Sequence, residues 1–187
     1  MCQVYRVMIY LFISTLLFSS DVIENKEFIP DVKLKDINKK KVKLLDLCKD
    51  YYVLFNFWNM ACEPCKKEMK FLNQFHEKYN SYNFKVISIN MDSPRSMSKV
   101  KKYVKSSKYS FEVLQDPRMD MFKKMGGSIM PFVIIADSSG SIVNKHIGYN
   151  LGDEKALEEE IKELISFNQD TTTFSKDSTE VKGDVND

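Results

Sequence analysis

A chain of 187 residues, 43% hydrophobic and 12% aromatic, has room for one ordinary domain with a real core, so a disulfide is not needed as a staple. The formal charge of +2 is too close to neutral to argue for a nucleic-acid partner, and none is expected.

At the N-terminus, Arg6 supplies a short basic flank and residues 7–18 form an uncharged, mostly apolar stretch. That length suits the core of a signal peptide and is short for a membrane span. The exit Phe18-Ser19-Ser20-Asp21 has small residues without a clean small-x-small pattern, so residues 1–20 read either as a cleaved leader or as an uncleaved membrane anchor. Both readings place the domain outside the cytoplasm, where thiol pairs are cycled enzymatically. Cys2 precedes the apolar stretch and is not a lipid-anchor cysteine following one.

Residues 21–27 read as a linker. Residues 32–35 and 41–44 alternate like two half-buried strands, with turn residues Asp36-Ile-Asn-Lys39 between them. Lys39, Lys40, Lys41 and Lys43 read as a solvated hairpin end, with a polyanion-binding patch as the sharper alternative. Residues 44–48 suggest a helical turn, and 51–57 have the near-continuous apolar character of a central strand covered on both faces. From Cys62 to Tyr79, Met69, Leu72, Phe75 and Tyr79 recur at helical spacing. A strand over 84–90 follows, then a helix opening at Ser93-Pro94 and reaching about Ser107. A short strand over 111–114 precedes a helix that Asp116-Pro117 opens and Gly126-Gly127 ends. Pro131 precedes a strand over 132–136, residues 137–140 turn into a strand over 141–147, and Ala156, Leu157, Ile161, Leu164 and Ile165 mark a last amphipathic helix. The acidic, Thr- and Ser-rich segment 168–187 is expected to be a disordered tail. Alternating helices and strands followed by a hairpin predict an α/β domain with a mixed sheet.

The chemistry concentrates at Cys62-Glu63-Pro64-Cys65, directly after the apolar strand that ends in Trp58. A reactive sulfur works as a thiolate, and the free N–H groups and macrodipole of a helix start favour negative charge there. Cys62 is placed at the exposed start and Cys65 one turn inward, near enough to close a small disulfide ring. Pro64 fits the first helical turn, where no N–H donor is needed. The blander readings are an inert structural disulfide and half of a zinc site. His76 lies roughly 16 Å along the helix from Cys65 and cannot share a metal with it. His146 reads as a strand residue near a turn. Cys48 has no partner in sequence and reads as a small buried thiol.

The run Phe57-Trp58-Asn59-Met60-Ala61-Cys62-Glu63-Pro64-Cys65-Lys66-Lys67-Glu68, with Met130-Pro131 before a strand and the order of elements over 28–167, resembles the TlpA/ResA-like extracytoplasmic thiol–disulfide oxidoreductases. The resemblance implies a thioredoxin-like three-layer α/β/α sandwich, with an N-terminal β-hairpin and an inserted strand–helix element. It implies that Cys62 attacks, that Cys65 resolves, and that Glu63 and Pro64 tune the redox couple. Pro131 is then a cis-proline opposite the cysteines, and Met130 and Trp58 join it in holding an extended substrate. Asn56 stands where thioredoxins of the cytoplasmic type have a buried carboxylate, so a proton relay must come from elsewhere; Asp92 is the nearest acidic candidate, with a solvated loop aspartate as the blander reading. Ala61 departs from the Trp that commonly precedes the first cysteine in the family, which removes apolar contact surface beside the sulfur.

The function so implied is reduction of protein disulfides outside the cytoplasm, in preparing cysteine pairs for haem attachment in cytochrome c maturation. Protein thiols and disulfides are the expected substrates and a membrane-side electron donor the expected partner. No cofactor beyond the Cys62–Cys65 couple and no metal are expected. Two rivals remain. A peroxidase would want Pro and Thr or Ser where Phe55 and Asn59 stand, and a thioredoxin-fold copper carrier would need Cys62 and Cys65 joined by His146.

Overall fold

The computed structural model describes residues 26–176, with side chains described through Ser166. The expected leader or anchor, nearly all of the linker, and residues 177–187 lie outside the described residues. Among the described residues no helix is long and apolar enough to cross a membrane.

Seven strands form one mixed sheet: β1 (Lys33–Asp36), β2 (Lys41–Lys43), β3 (Tyr52–Trp58), β4 (Phe84–Asn90), β5 (Glu112–Gln115), β6 (Phe132–Ala136) and β7 (Ile142–Ile147). Their spatial order is β2-β1-β5-β4-β3-β6-β7. The core strands β3, β4 and β5 are parallel, and every other pairing is antiparallel. The helices are α1 (Leu44–Cys48), α2 (Glu63–Tyr79), α3 (Met97–Ser106), α4 (Asp120–Lys124) and α5 (Asp153–Lys176).

Successive strand residues point to opposite faces, so the apolar run of β3 must be covered twice. Leu54 and Trp58 pack under α2, α3 and α5 with Met69, Leu72, Val100, Val104, Leu157 and Ile161. Val53, Phe55 and Phe57 pack on the other side against Leu44 and Cys48 of α1 and Met121 and Phe122 of α4. The result is the expected three-layer α/β/α sandwich. The N-terminal hairpin β1–β2 and the inserted α3–β5 element lie on one flank.

Three boundaries depart from the sequence reading. Ser93-Pro94 opens a 3-10 turn, Pro94–Ser96, before α3 begins. The helix expected from Asp116 is reduced to α4, because the Asp116 carboxylate accepts from the N–H groups of Asp120 and Phe122, both at 3.0 Å, and so caps a later start. The last helix continues from 168 to Lys176, into the segment expected to be disordered. Residues 168–176 contain no Gly or Pro to stop a helix already nucleated upstream.

Candidate active site

The carboxyl ends of the parallel strands lie level with one another, Trp58 beside Asn90 and Asn90 beside Gln115, and the loops leaving them build the site. Asn59 shapes the first loop. Its side-chain oxygen accepts from the N–H groups of Ala61 and Cys62, both at 3.0 Å, an Asx-type turn that delivers Cys62 to the helix start.

Cys62 is the N-cap of α2, with extended backbone angles, and its sulfur accepts from the Cys65 N–H at 3.2 Å. The two cysteines form a disulfide with Cα atoms 5.3 Å apart, within the usual span. Cys62 is partly exposed, whereas Cys65 is sealed beneath it. Pro64 sits exposed in the first turn of α2. Glu63 is exposed and accepts from the Lys66 ammonium at 2.7 Å, which holds its carboxyl below the usual range. The four residues can carry out exchange at one accessible sulfur while holding a second in reserve.

Beside them the Met130–Pro131 peptide bond is cis. Met130 is partly exposed, Pro131 is buried, and the Pro131 carbonyl accepts from Gly148 N–H at 2.8 Å. Trp58, expected among the substrate contacts, instead has no exposed surface. Its ring lies 5.6 Å from Tyr103 of α3, within the core shared with Cys65 and Met69. Trp58 therefore supports the site from below and does not touch a docked peptide.

Asp92, the candidate relay, is committed to the loop. Its carboxylate accepts from the Met60 N–H and from the Asn90 side chain, both at 2.8 Å, while its own N–H donates to the Asn90 oxygen. It positions the residues that precede Cys62.

The carboxyl group that sequence reading passed over is Glu68. It follows Cys65 by three positions, on the same side of α2, and is buried with one carboxyl oxygen unpartnered. Burial, followed by the nearby negative charge of Asp153, pushes it up to about 8. It borders a cleft of about 380 Å³ whose walls include Phe71, Phe75, His146, Tyr149 and Leu157. The available signal was its place beside Cys65, Met69 and Leu72 in the inward stripe, where an acid is out of character.

His146 points elsewhere: its Nε2 pairs with Glu160 of α5 at 2.8 Å, so nothing joins it to the two cysteines. Cys48 is buried on the opposite side of the sheet, where burial raises its thiol to about 11.

Residues 26–145 match the AhpC/TSA family. A protein from Bacillus cereus named thiol-disulfide oxidoreductase ResA is 31% identical over 119 residues, covering 64% of this chain and 67% of its own. Its namesake from Bacillus thuringiensis subsp. konkukian is 29% identical over 135 residues, covering 72% and 75%. Among solved structures, a candidate thiol:disulfide interchange protein DsbE from Chlorobium tepidum superposes with a TM-score of 0.69 at 27% identity, covering 75% of this chain and 96% of its own. The fold, the paired cysteines at a helix start and the extent of the match agree, and the chain belongs to the AhpC/TSA family.

Proposed function

We propose that this protein is a thiol–disulfide oxidoreductase that reduces disulfides of protein substrates outside the cytoplasm. The observation that carries the reading is the pairing of a partly exposed Cys62 at a helix N-terminus with a buried Cys65. The relatives named for this activity support it.

In the reduced protein the Cys62 thiolate attacks one sulfur of a substrate disulfide, forming a mixed disulfide and expelling a substrate thiolate. Cys65 then loses its proton and attacks the Cys62 sulfur. The second substrate thiolate leaves and the Cys62–Cys65 disulfide remains. Two electrons pass to the substrate, so each turnover must be followed by reduction from a dithiol donor, which this reading places at the membrane. Glu68 takes the relay role first considered for Asp92. It is buried, lies one turn beyond Cys65, and its affinity for a proton is poised near neutrality. Met130 and Pro131 receive the extended substrate beside Cys62. Cysteine pairs awaiting haem attachment in cytochrome c maturation are the substrate class the reading favours.

The test is covalent trapping. Cys65→Ala, exported in a host cell, should accumulate mixed disulfides through Cys62 that a reductant releases, whereas Cys62→Ala should accumulate none. Recovering no partners from Cys65→Ala would overturn the reading. A redox titration decides the direction: a potential near roughly −120 mV, the strongly oxidising end for such couples, would defeat the reductant assignment.

A further inference from the structure

The net charge of +2 conceals a separation of charge across one face of the sheet. Leu34 and Val42 pack with the α1–α4 side of the core, so Lys33 and Lys35 of β1 and Lys41 of β2 leave by the opposite face, the one that α3 covers. There the hairpin register sets Lys33 opposite Lys43 and Lys35 opposite Lys41. Asp31 offsets Lys43 at 3.2 Å, but Lys35 and Lys41 face each other with no acid between them among the described residues. Like charges directly opposite one another oppose strand pairing, so folding alone does not account for them.

Helix α3 extends the same surface. Val100 and Val104 are its buried stripe, and Tyr103 turns one flank toward Trp58 of β3. The other flank, carrying Lys101 and Lys105, therefore turns toward β5 and the hairpin. No Asp or Glu occurs between Asp92 and Glu112. Lys33, Lys35, Lys41, Lys101, Lys102 and Lys105 are all exposed, and among the described residues none has an ion-pair partner. At the far side of the same face, α5 carries Asp153, Glu154, Glu158, Glu159, Glu160 and Glu163 against Lys155 and Lys162. Glu158, Glu159 and Glu160 pair with Lys78, Lys162 and His146, so that side remains acidic on balance.

We propose that the surface formed by the β1–β2 hairpin and α3 docks on an anionic phospholipid bilayer. It is broad and predominantly basic: among the described residues Asp31 pairs only with Lys43, at 3.2 Å, and the six lysines named above have no partner, which suits a charged plane. The anchor reading of residues 1–20 supplies a route to the membrane. The apolar residues 7–18 precede the domain, and residues 19–27 span roughly 30 Å at full extension, which keeps the domain within reach of any bilayer holding that stretch. The acidic α5 side is repelled by the same plane, so the charge separation orients the docked domain.

The experiment is flotation of the full chain with phosphatidylcholine vesicles and with phosphatidylcholine–phosphatidylglycerol vesicles, at low and high salt. The neutral vesicles measure apolar attachment, which is common to all variants. The wild type should prefer the anionic vesicles by about tenfold or more at low salt and lose that preference at high salt. Combining Lys33→Gln, Lys35→Gln, Lys101→Gln and Lys105→Gln should abolish the preference. A charge-matched control combining Lys49→Gln, Lys70→Gln, Lys155→Gln and Lys162→Gln should retain it, with insulin-disulfide reduction unchanged in both. Three results would each overturn the proposal: no anionic preference in the wild type, equal loss in both variants, or salt-sensitive self-association without vesicles, which would make the α5 surface of a second copy the partner.

Discussion

The Cys65 backbone N–H points at the Cys62 sulfur, 3.2 Å away, so the residue that caps α2 is also the one exposed to attack. Reduction frees that sulfur to hold negative charge where the helix favours it, while Cys65 stays under cover. Iodoacetamide should therefore modify Cys62 of the reduced native protein at least about tenfold faster than Cys65, with the difference lost in denaturant. Peptide mass spectrometry over a time course checks this; equal rates in the native state would mean that both sulfurs are open to solvent.

Glu68 should leave its mark on stability. Its carboxyl loses a proton near 4.5 when the chain is unfolded and only at about 8 when folded. The native state thus binds more protons between those values, and this position contributes stability that is intact below about pH 4.5 and declines as pH rises toward 8. Glu68→Gln should flatten that decline and raise stability at pH 8 by a few kcal/mol relative to wild type. Urea midpoints at pH 5 and pH 8 provide the comparison. The same variant should shift the pH profile of disulfide reduction if the proton passes through this group.

His76 should act in the opposite sense. Burial holds its ring neutral below its ordinary 6.5, and its Nδ1 accepts from the Val86 N–H at 3.1 Å. The unfolded ring takes up a proton below about pH 6.5 while the folded one resists, so its contribution is present above that pH and is lost as pH falls toward the folded value. His76→Gln should weaken the acid-side loss of stability between pH 6.5 and 5, read from urea midpoints against wild type.

Asp92 supports the active-site loop through two side-chain hydrogen bonds, one to the Met60 N–H and one to Asn90. Asp92→Ala should cost about 1–3 kcal/mol and lower the reduction rate through a misplaced Cys62. Asp92→Asn, able to accept from Met60, should recover most of the stability. If the Asn variant retained stability but lost all activity, a chemical role for the carboxylate would be indicated.

How far the sequence foretells the molecule depends on the range of the interactions involved. The near-continuous apolar run of β3, the strand over 84–90 and the helical spacing of α2 are legible in the sequence, and the C-x-x-C places Cys62 at the helix start, because those features follow from residues close together in the chain. The substrate contact that the resemblance implies for Trp58 fails because strand alternation turns its ring inward onto Tyr103, far away in sequence. Asp92 and Glu68 exchanged importance because burial decides a carboxyl group's behaviour, and burial is a tertiary property. The short α4 escaped because a single aspartate cap, Asp116, displaced the helix start by several residues.

Phe28 bridges Ser141 and the Ile29 N–H donates to the Gly140 carbonyl, so the chain joins the sheet at the turn between β6 and β7. That turn lies at the opposite end of β6 from Phe132, which pairs with Phe57 just below the cysteines. Any hold on the polypeptide ahead of Phe28 therefore grips the domain by its base and leaves the dithiol at the crown, turned outward toward incoming clients.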